Sequence, residues 1–104
     1  GVNCKDDAEA QAVCDKLTDA FSFPAKIGDS SNFSTDAIEV INVCGRGVNG
    51  HIAIRTNKVS MAVAELEKRG YHIIPESVKY QGDRMTLAYL EGDFGGFAVH
   101  LVQK

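Results

Sequence analysis

Three residues of this chain carry side chains that bind ions or move protons, and each sits in a run that is otherwise apolar. His100 lies in FAVHLV near the C-terminus, Glu39 in AIEVI and His51 at the head of HIAIRT. Alternation puts Ala98, His100 and Val102 on one strand face, with Phe97, Val99 and Leu101 on the other. Glu39 shares its face with Ala37 and Ile41, and His51 shares its face with Ala53 and Arg55. Each polar residue thus stands beside a small alanine, which leaves room for a bound group. Two imidazoles and a carboxylate are a donor set for non-haem iron, zinc, nickel or cobalt: neutral rings hold the ion, and the carboxylate offsets its charge. Positions left open on the ion accept a substrate with two adjacent oxygens. The same three side chains also satisfy one another as a hydrogen-bonded polar cluster without metal, and both readings stand at this level. In either, an ionised Glu39 among apolar residues requires a partner, whether metal, Arg55 or water.

The elements that must position these residues follow from periodicity. GVNC reads as the second half of a strand with no turn or cap before it, so the chain is expected to be a piece of something longer. Ala10, Val13, Cys14, Leu17 and Phe21 form one helical stripe, with Asp6 and Asp7 at its positive end and Pro24 forcing the exit. AKIGD, SNFST and DAIEVINV read as three short strands. CGRGVNG, at 44–50, lacks the lysine and the glycine order of a phosphate loop and reads as a connector.

HIAIRT is the next strand, and Asn57 or Ser60 is the expected cap of a helix that buries Val59, Ala62, Val63 and Leu66 and ends at Gly70. YHIIPESVKY and MTLAYLE read as strands joined through the QGDR turn, with GGFAVHLV last. Ile38, Val40, Ile52 and Ile54 are expected on helix-covered faces, Tyr80 and Tyr89 in strand packing, and His72 in solvent or in a cap contact.

The order β-α-β-β-β therefore occurs twice, giving an α+β chain expected to be one domain, with a first half at 1–43, the connector at 44–50 and a second half at 51–104. Aligning the final strands sets Glu39 opposite His100, and aligning Val2-Asn3 with Ile54-Arg55 sets the counterpart of His51 just before Gly1.

GHIAI at 50–54, LEKRG at 66–70 and YLEGDFGGFAVHL at 89–101 together resemble the vicinal oxygen chelate superfamily, which comprises glyoxalases, bleomycin-resistance proteins and ring-cleaving dioxygenases. The resemblance implies two βαβββ repeats curled into a cupped mixed sheet. It further implies a divalent metal (Zn, Ni, Co, Fe or Mn) held by Glu39, His51 and His100. The carboxylate that many glyoxalases carry where this chain has His100 is missing, and with it the usual proton-shuttling base. Phe33, Arg55 and Tyr89 are the expected ligand contacts: a pocket wall, an anion partner and a hydroxyl reaching the cup.

The second half is also similar to a C-terminal extension of some bacterial aldolases acting on 2-keto-3-deoxy-6-phosphogluconate and 4-hydroxy-2-oxoglutarate. In that setting a covalently linked aldolase domain would carry the lyase chemistry, and this domain would bind a small oxyanion or 2-keto acid or mediate assembly. The alternative is a metal-dependent lyase, isomerase or dioxygenase. Sequestration of an apolar drug in a dimer groove ranks last, because the chain has three tyrosines, five phenylalanines and no tryptophan. Fold analogy implies a homodimer, since a cupped sheet leaves strand edges open.

Composition narrows the partners. A net charge of −3 with no run of lysine or arginine argues against a nucleic-acid surface. No apolar stretch approaches the roughly 20 residues that span a bilayer, and nothing resembles a signal peptide, so a cytoplasmic setting is expected. Cys4, Cys14 and Cys44, without CxxC spacing, fit reduced thiols.

Overall fold

The computed structural model describes residues 1–104 as two compact units, Gly1–Gly50 and His51–Lys104. The chain is of the mixed α+β class, with eight strands and two α-helices.

The first unit contains β1 (Val2–Asn3), α1 (Asp7–Phe21), β2 (Ala25–Lys26), β3 (Ser31–Ser34) and β4 (Ile38–Ile41). Its strands lie in the order β2-β3-β4-β1, antiparallel except for the parallel β1–β4 pair. Helix α1 starts as its composition requires: Asp6 is the cap, and its Oδ1 accepts the Glu9 N–H at 2.8 Å. Ala10 and Cys14 face Cys4 and Val40, and these four residues are the buried core, edged by Val13 and Ile38. The predicted stripe fails at its end, since Phe21 is 63% exposed. Phe21 is the last helical residue; Ser22 beyond it turns into the left-handed region at φ 59°, and the Phe21 ring lies 5.5 Å from that of Phe23. Asn3 clasps the connector: its Nδ2 donates to Gly47 O at 2.9 Å, and its Oδ1 accepts the Gly45 N–H at 3.2 Å.

The second unit contains most of β5 (Gly50–Thr56), which opens on the last residue of the first unit, then α2 (Val59–Lys68), β6 (Lys79–Gln81), β7 (Arg84–Tyr89) and β8 (Phe97–Gln103). Its strands lie in the order β5-β8-β7-β6. The core is Val59, Ala88 and Leu101, with Ala62, Val63 and Leu66 of α2 packed against it. Helix α2 therefore covers β7 and β8 and not β5, which is why Ile52 and Ile54, expected under a helix, stay 44% and 48% exposed. Neither Asn57 nor Ser60 caps α2; Lys58 occupies the cap position without a side-chain bond. The C-terminal end closes in a Schellman motif, in which Gly70 N–H donates to Glu67 O at 3.0 Å and Tyr71 N–H to Leu66 O at 2.9 Å, with Gly70 at φ 87°.

The predicted strand at YHIIPESVKY is mostly something else. Pro75–Ser77 is a turn of 3-10 helix, and only Lys79–Gln81 pairs as a strand, because proline at the first position of that turn removes an N–H a ladder would need. His72 makes the expected cap contact, its Nδ1 lying 2.8 Å from Glu67 Oε2 across the helix end. All three cysteines are free thiols, Cys4 and Cys14 buried and Cys44 exposed. No helix is long and apolar enough to cross a membrane.

Candidate functional site

The second unit gathers three of the residues singled out from sequence. His51 comes from β5, Tyr89 from the end of β7 and His100 from the middle of β8. Antiparallel pairing of β7 with β8 makes Tyr89 and His100 direct partners, so their side chains emerge from the same face. Their rings lie 4.6 Å apart at 34°, the two imidazoles 5.1 Å apart at 58°, and His51 meets Tyr89 edge-on at 6.3 Å. His100 is 6% exposed, while His51 and Tyr89 are half-buried. The trio thus presents two ring nitrogens and a phenol from partly accessible rings, backed by one buried ring.

One hydrogen bond of His100 bears on its tautomer. Its Nδ1 lies 3.3 Å from Leu101 O. A carbonyl oxygen only accepts, so Nδ1 carries the hydrogen in the neutral ring and Nε2 carries the lone pair. An imidazole held this way offers Nε2 to a metal ion or as the acceptor for a ligand proton.

Tyr89 is held from behind by residues that the sequence reading passed over. Where β6 stops, the edge of β7 loses its strand partner, and the 3-10 turn supplies substitutes. Tyr89 N–H donates to Ser77 Oγ at 2.9 Å, Ser77 Oγ–H donates to Ile74 O at 2.7 Å, and Ile74 N–H donates to Tyr89 O at 2.8 Å. Ser77 is buried. The local signal was present in PES, since proline and serine are both frequent turn formers, but the distant partner of Ser77 was not.

Each remaining candidate is placed within its own unit. Glu39 and Phe33 belong to the first unit and are register partners across β4 and β3. Glu39 acts electrostatically on the Gly1 amino group, partly offsetting the burial that lowers that group's pKa. Arg55 is exposed on the same alternation of β5 as His51, four residues further on, about 13 Å at 3.3 Å per residue. Tyr80 is exposed on β6. Within neither unit do three His, Cys, Asp or Glu side chains gather as a metal site.

The cysteines offer no nucleophile in the first unit's core. Burial raises the pKa of Cys4, with the charge of nearby Glu9 adding to it, and burial likewise raises that of Cys14, so both stay protonated at neutral pH. Comparison with protein-family models, with curated proteins and with solved structures finds no match for the chain.

Proposed function

We propose that this chain is a small-molecule-binding domain of the vicinal oxygen chelate type, accompanying aldolase-type chemistry, in which His51, Tyr89 and His100 receive the oxygen atoms of a 2-oxo acid or related oxyanion. The observation that carries the reading is the ring trio, with His100 held in one tautomer by Leu101 O. Two further features support it. Each unit runs strand, helix and three strands, and the two share one lateral order: β2-β3-β4-β1 and β6-β7-β8-β5. Half-exposed Ile52 and Ile54 on β5 support pairing with a second copy.

A second reading has its own observation. Two imidazoles bound to one divalent ion through nitrogens at about 2.1 Å place their ring centres on the order of 5 Å apart, and His51 and His100 stand at 5.1 Å. The donor set therefore fits a metal held by these two residues. When bound, such an ion would polarise adjacent substrate oxygens, while Tyr89 would orient the His100 ring.

Both readings are tested by titrating the protein with pyruvate, followed by amide and imidazole NMR, and by elemental analysis after incubation with zinc, nickel, cobalt, iron and manganese. His100→Ala and the bulkier His100→Gln serve as comparisons. Shifts at Tyr89 and His100 that weaken about tenfold in both variants support the binding domain. Near-stoichiometric metal lost in both variants establishes the metal reading. The absence of both responses overturns the site.

A further inference from the structure

The sheet face that carries Tyr89 and His100 continues along the strands. Leu87 and Val102 are register partners two residues further on, so they share that face about 7 Å from the Tyr89–His100 pair. Lys79 is the partner of Leu87 on β6, and Lys104 follows Val102 by one more alternation. Together with Arg84, from the end of the β6–β7 hairpin, these residues line a cleft of about 430 Å³. Its floor is the apolar Leu87–Val102 pair, its rim holds three cations, and no carboxylate side chain lines it.

The cations are exposed, and none is paired with a carboxylate, whereas Lys68 and His72 of the same unit each have a glutamate. The arrangement is anchored: Lys104 N–H donates to Thr56 O at 3.0 Å, and Thr86 Oγ1 donates to Lys79 O at 3.3 Å. The Lys104–Thr56 bond also brings the far end of β5 beside the far end of β8, so Arg55 adds a fourth positive charge at that end of the face. Charge is unevenly distributed along the chain. Residues 1–50 hold four Lys and Arg against eight Asp and Glu, and residues 51–104 hold seven against six. A three-cation rim is thus not a by-product of a basic protein.

We propose that this cleft binds the anionic end of an elongated organic oxyanion, whose body crosses Leu87 and Val102 towards His100 and Tyr89. The inference deepens the binding function proposed above and rests on it for the oxygen-binding end, while the cleft itself rests only on Lys79, Arg84 and Lys104. An organic phosphate or carboxylate suits it, because the rim matches the charge and the floor matches an apolar body; inorganic phosphate alone uses only the rim.

The test is an amide NMR titration with phenyl phosphate, inorganic phosphate and phenol at fixed ionic strength. It compares the wild type, the double variant Lys79→Ala/Arg84→Ala and His100→Gln. Both cations are exposed, so the double variant retains the fold. The expected result is that phenyl phosphate binds more tightly than either fragment, moves the signals of Leu87 and Val102, and loses about tenfold in affinity in the double variant, the sum of two exposed ion pairs. Equal affinity in wild type and double variant overturns the cleft. Equal affinity for phenyl phosphate and phosphate, with Leu87 and Val102 unmoved, overturns the elongated ligand. Loss in the double variant with His100→Gln unchanged upholds the cleft and counts against the histidine end, so the two proposals fail separately.

Discussion

Replacing Ser77 by alanine removes one oxygen atom and almost no volume, and it isolates the clamp that holds Tyr89 against His100. The hydroxyl accepts from Tyr89 N–H at 2.9 Å and donates to Ile74 O at 2.7 Å. Ile74 O keeps a second donor, Ser77 N–H at 3.0 Å, so the loss falls mainly on Tyr89 N–H, which has no strand partner at that point. Orphaning a partly buried backbone donor costs about 2 kcal/mol. For a chain of this size that lowers Tm by roughly 8–16 °C. Urea denaturation followed by circular dichroism reads the cost as a lower midpoint at unchanged slope. Ser77→Thr keeps the hydroxyl and is expected to recover most of the loss. The Tyr89 ring should also shift relative to His100, seen as a changed ring-current shift of the His100 protons. A Ser77→Ala midpoint within about 0.5 kcal/mol of wild type, with the His100 protons unmoved, refutes the clamp.

Two further predictions use the titratable groups. Cys44 should react with a thiol reagent at once, while Cys4 and Cys14, buried and with raised pKa, should react only on unfolding; three fast thiols in the native protein would contradict the packing of α1 on β4. Glu67 titrates below the ordinary glutamate range, first because of its bond to His72 and then because of the Ile73 N–H. Since its folded pKa is depressed, the stabilisation is present above the unfolded carboxylate range and is lost as pH falls through the folded value. Carbon NMR of the Glu67 carboxyl should show the low pKa in wild type and a rise in His72→Ala, and an ordinary value in both would refute the strap at the end of α2.

Much of the local structure was legible in the sequence, because its causes are short-range. Asp6 announces α1 through a bond three residues away, and Gly70 closes α2 because only a residue tolerant of positive φ fits there. Gly82, at φ 64°, turns the β6–β7 hairpin for the same reason. The misreadings cluster where a distant element decides. Ile52 and Ile54 alternate like covered residues, yet α2 lies over β7 and β8, and the strand's own sequence cannot say which neighbour a helix covers. The stretch after His72 is apolar enough for a strand, but Pro75 cannot donate to a ladder, and the structure gives that edge of β7 to Ser77 and Ile74 instead.

The candidate site divides along the same line. The sequence by itself marked His51 and His100 as polar residues on apolar strands, because alternation of period two is a property of the strand alone. It named Tyr89 too, as an expected ligand contact, although the alternation that puts Tyr89 in strand packing holds equally for Tyr80. Register decided between them: pairing Tyr89 with His100 stacks the rings, whereas a slip of one residue would turn Tyr89 to the helix-covered face. That register is set by contacts between residues far apart in the chain, through packing of Ala88 and Leu101 beneath Val59. Lys79, Arg84 and Lys104, scattered singly in the sequence, meet on one cleft for the same reason: strand pairing converts sequence separation into lateral distance, and only the folded sheet specifies the conversion.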